Sequence, residues 1–136
     1  LTAASSVAEG GVINYTASVG APVTGTPVVV TLANGQNITI GVGQSSGTVS
    51  VPVSDDAYQG HAPVTTNITA VTGGNYENLV ANQSPVTTAV TDVQTTTTVS
   101  LTATPSVAEG GSIVYTATLT NPAGSPVTVT LNNGKV

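Results

Sequence analysis

The sequence predicts an all-β sandwich, and three observations carry that expectation. Short segments in which apolar side chains alternate with polar ones follow each other along the chain, the period of a half-buried strand. Gly, Pro, Asn and Asp punctuate the gaps, and no stretch repeats its apolar residues at a helical period. Thr, Val, Gly and Asn are frequent while Leu, Glu and Lys are scarce, a balance that favours strands and turns. The chain also repeats itself. Ser6-Val7-Ala8-Glu9-Gly10-Gly11 returns as Ser106-Val107-Ala108-Glu109-Gly110-Gly111, and Tyr15-Thr16-Ala17 as Tyr115-Thr116-Ala117. After a shift of one residue, the stretch from Pro27 to Gly35 pairs with that from Pro126 to Gly134. Recurrence at the spacing of a whole domain predicts a tandem array. The chain reads as one copy and part of the next, a slice of something longer.

The elements follow in order. Residues 1–4 are the end of a first strand, whose intact counterpart is residues 97–103. Residues 12–19 form the second, with Ile13, Tyr15, Ala17 and Val19 on one face. Residues 27–33 turn Val28, Val30 and Leu32 inward, and Asn34-Gly35 predicts a type I′ hairpin with positive φ at both residues. Residues 36–42 place Ile38, Ile40 and Val42 inward, and residues 48–53 place Val49, Val51 and Val53 there. A polar loop through Asp55-Asp56 leads to residues 64–71, with Thr66, Ile68 and Ala70 inward. Residues 85–91 complete the set. Seven such strands without a helix predict an immunoglobulin-like Greek-key sandwich over residues 1–92, the start of its first strand missing. Residues 93–96 are a linker, and residues 97–136 are a partial second repeat of three strands. The Cys…Trp…Cys spacing of antibody domains is absent.

Composition narrows the function. With no Trp, Phe, Met or Cys and only four Tyr, the core must be aliphatic and no disulfide can brace it. Extra stabilisation is therefore expected. Six acids against one Lys give a net charge of −5, which leaves no basic surface for nucleic acid or an anionic membrane. No apolar run is long enough to span a bilayer, and no signal-peptide pattern opens the chain.

Strand parity then predicts a site. When strands run alternately up and down, every second loop lies at the same pole. Glu9, Asn34-Gly35, Asp55-Asp56 and Asp92 all fall there, four of the five acids of the first copy. Carboxylates gathered so closely repel unless a cation or a proton neutralises them. The cation expected is a structural Ca²⁺, which accepts six to eight oxygens from carboxylates, carbonyls and water. Gly10-Gly11 would let the backbone turn its carbonyls toward it. Mg²⁺ ranks second, and Zn²⁺ is disfavoured by the absence of Cys and the single His. The plainer alternative is that these acids are ordinary turn residues.

Ser-Val-Ala-Glu-Gly-Gly, the Asp-Asp loop and Gly73-Gly74-Asn75-Tyr76-Glu77-Asn78-Leu79 together resemble the extender repeats of giant bacterial RTX adhesins, of the LapA-like biofilm type. A more distant similarity is to the Calx-β domain. The resemblance covers nearly the whole chain. It implies repeats exported by a type I system, displayed at the bacterial cell surface and stiffened by calcium. By position it makes Glu9, Asp55, Asp56 and Asp92 the metal ligands, with Glu109 the counterpart of Glu9. Further acids would be expected after Asp-Asp, but Gln59-Gly60-His61 follow.

The function expected is a non-catalytic spacer repeat of a calcium-stabilised surface adhesin, its partners being neighbouring repeats. The alternative is a ligand-binding module that recognises carbohydrate or protein through a loop pole. Catalysis is not expected: His61 has no nucleophile on a strained turn and no G-x-S-x-G beside it. Ile113, Tyr115, Ala117, Leu119, Val127, Val129 and Leu131 give the partial copy an apolar face that no second sheet covers. Residues 97–136 are therefore expected to pack on another chain by dimerisation or strand exchange, or to lack order.

Overall fold

The computed structural model describes residues 1–136, in two compact units: Leu1–Asp55 with Gln59–Val93, and Asp56–Tyr58 with Gln94–Val136. It is all-β, ten strands in four sheets and no helix. In the first unit β1 is Ser6–Ala8, β2 Val12–Ser18, β3 Val28–Leu32, β4 Asn37–Ile40 and β5 Ser46–Pro52. β6 (Val64–Thr66), β7 (Ile68–Thr72) and β8 (Val86–Thr91) follow. β2 runs antiparallel to β5, with Tyr15 opposite Val49. β3 lies between β4 and β7, and β8 between β6 and β1. The β1–β8 pair is parallel, Ser6 opposite Ala89 and Ala8 opposite Thr91.

The alternation read in the sequence builds one aliphatic core. Ile13, Tyr15 and Ala17 of β2 meet Val28, Val30 and Leu32 of β3 and Ile38 and Ile40 of β4, all buried. At ~1.5–3 kcal/mol for each large aliphatic side chain, these account for most of the drive to fold. Val23 is a core residue that alternation could not reveal. It sits in a loop, fixed by its N–H on the Gln44 carbonyl (2.8 Å) and its carbonyl under the Gly43 N–H (2.8 Å).

Two chain segments change sheets, and both depart from the sequence expectation. The single strand foreseen at 64–71 is divided at Asn67, so that β6 pairs with β8 and β7 with β3. The register opposite Thr31 and Leu32 passes from Ala70 to Ile68, leaving Thr69 as an extra residue. One extra residue inverts the faces beyond it. Ala70, expected inward, is exposed, and Val71 packs on the core instead. The first strand divides likewise: Thr2 bridges Thr16, whereas Ser6–Ala8 join β8. At that crossing the buried Thr88 hydroxyl donates to the Ala4 carbonyl at 2.8 Å, satisfying a group that the strand change frees.

Two smaller expectations also fail. Val42 is 54 % exposed, because β4 ends at Ile40 before the turn at Gly43. The Asn34-Gly35 hairpin is not type I′, since no residue other than Gly has positive φ. Gly35 alone takes φ 82°, its N–H on the Leu32 carbonyl (3.0 Å), while the Leu32 N–H bonds the Gln36 carbonyl (2.9 Å). That is a three-residue turn closed by a left-handed glycine.

Tyr15 is the one aromatic side chain fully inside the core, and its hydroxyl has no partner there. Burial raises its pKa above the ordinary value of 10.0, because a phenolate cannot be solvated in that position. The neutral form is thus favoured in the folded state. The corresponding stability is fully present below pH 10 and is lost as pH rises through the raised value. Tyr15→Phe should keep the ring and delete the orphan hydroxyl. The expected outcome is unchanged or up to ~1 kcal/mol greater stability in urea unfolding at pH 7, with a shallower loss above pH 10.

In the second unit β9 (Val99–Ala103) pairs antiparallel with β10 (Tyr115–Leu119), Tyr115 opposite Ala103. The third strand expected there does not form. In the first unit its counterpart β3 is held on both edges, by β4 and β7. No segment of the second unit offers residues 126–131 such a ladder, and an extended chain without a ladder is not a strand. Local turns nonetheless recur between the two units. Gly11 and Gly111 donate to the Ala8 and Ala108 carbonyls at 3.0 and 2.9 Å, and Gly35 and Gly134 to those of Leu32 and Leu131 at 3.0 and 2.9 Å.

Candidate metal centre

At one pole of the first unit the β1–β2 turn, the end of β5 and the end of β8 meet. The parallel ladder carries on past β1, with the Glu9 N–H on the Thr91 carbonyl at 3.0 Å. Val12 lies opposite Pro52, and the Val53 N–H reaches the Gly11 carbonyl at 2.9 Å. Between these ladders the chain turns at Gly10 (φ 71°), so close to the β5 exit that a Cβ there would lie 3.5 Å from that of Asp55. A side chain at this position would have to adopt a left-handed backbone, which is why Gly suits it.

The turn drives Glu9 inward. Its side chain is 6 % exposed, although a carboxylate is among the groups least often buried without a partner. Oε2 accepts the Val93 N–H at 3.2 Å, while Oε1 is buried with no hydrogen-bond partner at all. The first unit contains neither Lys nor Arg, the single Lys of the chain being Lys135 of the second unit. A buried carboxylate oxygen without a partner is costly, and a cation bound there would relieve that cost.

The other expected ligands stand differently. Asp92 is exposed and its Oδ2 accepts the Gly60 N–H at 2.7 Å, joining the end of β8 to the loop after β5. Asp55 is exposed beside Gly10, with its carboxylate free of hydrogen bonds within the protein. Asp56 is exposed and its Oδ1 accepts the Tyr58 N–H at 2.8 Å, a turn of the Asx kind. Glu109 repeats the local turn of Glu9 in the second unit but is exposed. Asn34 closes its own hairpin, Oδ1 accepting the Gln36 N–H at 3.2 Å. The elements bearing Glu9, Asp55 and Asp92 therefore share a pole, yet no three His, Cys, Asp or Glu side chains form a ready cage. Ca²⁺ does not need one, since carbonyls and water fill most of its shell in many sites. The fit rests on the Glu9 Oε1 orphan, with Asp55 the free carboxylate next to its turn.

What sequence parity missed was the inequality among these acids. Burial of Glu9 depends on β1, a strand that begins two residues after the predicted first strand ends. His61 has a local explanation, its Nδ1 lying 2.9 Å from the Ala62 carbonyl.

A family model described as the LapA domain matches residues 1–93 and 95–136. No curated protein and no solved structure matches the chain.

Proposed function

Because the chain belongs to the LapA-domain family, whose members are adhesin-related and not enzymatic, we propose that it is a spacer: tandem immunoglobulin-like repeats of a biofilm adhesin, stiffened by Ca²⁺ at the Glu9 pole. In this reading type I export places it at the bacterial cell surface, and its partners are neighbouring repeats. The duplicated motifs and the recurring turn hydrogen bonds support the repeat. The parallel β1–β8 ladder suits a spacer mechanically. β1 lies near the start of the first unit and β8 near its end, so tension across the unit would load the bonds of this parallel pair in shear.

The buried, unpartnered Glu9 Oε1 carries the calcium part of the proposal. An ion held by Glu9 and Asp55 would tie the β1–β2 turn to the end of β5. Since Glu9 Oε2 also holds the Val93 N–H, the chain segment leaving β8 would be fixed at the same point. The test is thermal unfolding in Ca²⁺ and in chelator. At a Ca²⁺ concentration about 100 times its Kd, native-state binding adds ~2.7 kcal/mol, a rise in Tm on the order of 10 °C for a domain of this size. Superimposable melting curves would remove calcium from the proposal.

A further inference from the structure

The second compact unit is not continuous in sequence. It contains Asp56–Tyr58, three residues of the stretch between β5 and β6, together with Gln94–Val136. Tyr58 accounts for their place in it. Its hydroxyl donates to the Pro122 carbonyl at 2.9 Å. Its ring lies over Gly124, where a Cβ would come within 2.9 Å of Cε1 and 3.1 Å of Cδ1. The φ of Gly124 is not positive, so its backbone does not require glycine. Room for the ring does. Asp56 presents the tyrosine by accepting the Tyr58 N–H on Oδ1 at 2.8 Å, which fixes the backbone from which the ring projects.

The accepting turn is itself duplicated. Pro122 and Gly124 stand where Pro22 and Gly25 stand in the first copy, across the one-residue shift. In the first unit a tyrosine hydroxyl also meets this turn, Tyr76 donating to the Ala21 carbonyl at 2.6 Å, and Gly25 again lies against a side chain, a Cβ there coming 3.3 Å from that of Asn75. Tyr76 belongs to the same copy as its turn, and Tyr58 belongs to the copy before its turn. We infer that the Pro122–Gly124 turn is a docking site for a tyrosine supplied by the loop after β5 of the preceding repeat, with Tyr58 its occupant. The ring covers the glycine and the phenol reaches the carbonyl, so an aliphatic side chain would satisfy only half of the site. Asp56 thereby serves the docking loop, which its exposed position among the acids left unexplained. This inference rests on the tandem-repeat reading and does not use calcium.

The experiment is amide hydrogen exchange on the full chain, read at the Thr120 N–H, which holds the Thr98 carbonyl at 3.1 Å two residues before the accepting proline. Tyr58→Phe keeps the ring and deletes the donor, and should speed exchange there about fivefold. Tyr58→Ala and Gly124→Val, which remove the ring or fill its place, should each speed it about tenfold or more. The double variant Tyr58→Ala with Gly124→Val should exchange no faster than either single one, because both changes abolish the same contact. Amides of the β2–β5 ladder should keep their rates in all four chains. Unchanged exchange at Thr120, additive effects of the two substitutions, or equal acceleration in the β2–β5 ladder would overturn the inference. Additive effects beside a positive calcium melt would remove the docking site alone, and coupled effects beside superimposable melts would remove calcium alone.

Discussion

Tyr15→Ala is expected to destabilise the first unit by ~3–5 kcal/mol, whereas Tyr115→Ala, at the same position of the motif, should cost under about 1 kcal/mol. The difference is one of surroundings. Tyr15 is fully buried between strands of the first unit, while Tyr115 is 42 % exposed on a face with nothing over it. Loss of the Tyr15 ring removes the largest side chain from a core that has no Phe, Trp or Met to move into the space. Aliphatic strands on either side are held by their ladders and cannot collapse inward, so the cavity term adds to the lost transfer energy. A domain of roughly 95 residues is stable by only about 5–14 kcal/mol, so the loss is a large share of the total. Urea unfolding should show a lower midpoint with an unchanged slope. Equal effects at the two tyrosines would mean that the second unit is covered and packed like the first.

The period-two pattern made the first unit legible because each strand there buries one face. It located β2, β3, β4, β5 and β8 to within a few residues, and it assigned Tyr15, Ile38 and Ile40 to the core. Alternation carries no information about which sheet a strand joins. The divisions at Asn67 and before Ser6 were therefore invisible, and with them the inverted parity of Ala70 and Val71. Val23 escaped for a related reason: a loop residue is buried by the bonds that pin its loop, not by a local pattern. In the second unit the pattern at residues 126–131 is as clear as in β3, yet no strand results. Pattern prepares a strand, and a neighbouring backbone makes it one.

The site shows the same division. Parity brought the β1–β2 turn, the β5 exit and the β8 end to one pole, where the structure has them. It could not rank the acids, because exposure depends on details of the turn. Asp56 and Asp92 have backbone N–H partners, which is sufficient reason for an Asp in a loop. Glu9 also accepts a backbone N–H, from Val93, but its carboxylate is buried where theirs are exposed. One of its oxygens is buried and unmatched.

Glu9→Gln should accordingly have opposite consequences in the two solution conditions. In chelator the variant should be as stable as the wild-type chain or more so, because an amide buried without a full set of partners costs less than a buried lone charge. Its Oε1 can still accept the Val93 N–H, so the link to the end of β8 survives. In Ca²⁺ the wild-type chain should gain the ~2.7 kcal/mol of a largely saturated site and the variant should gain none, so that their melting curves cross between the conditions. Glu109→Gln is the matched control: it changes the same motif position at an exposed site and should leave both curves in place. Asp55→Asn should reduce the calcium response without altering stability in chelator, since its carboxylate supports no hydrogen bond within the protein. A Glu9→Gln chain destabilised to the same extent with and without Ca²⁺ would show that the carboxylate serves only the Val93 hydrogen bond. The duplicated motif would then encode a shared local turn, and the proposed spacer role would rest on the β1–β8 ladder alone.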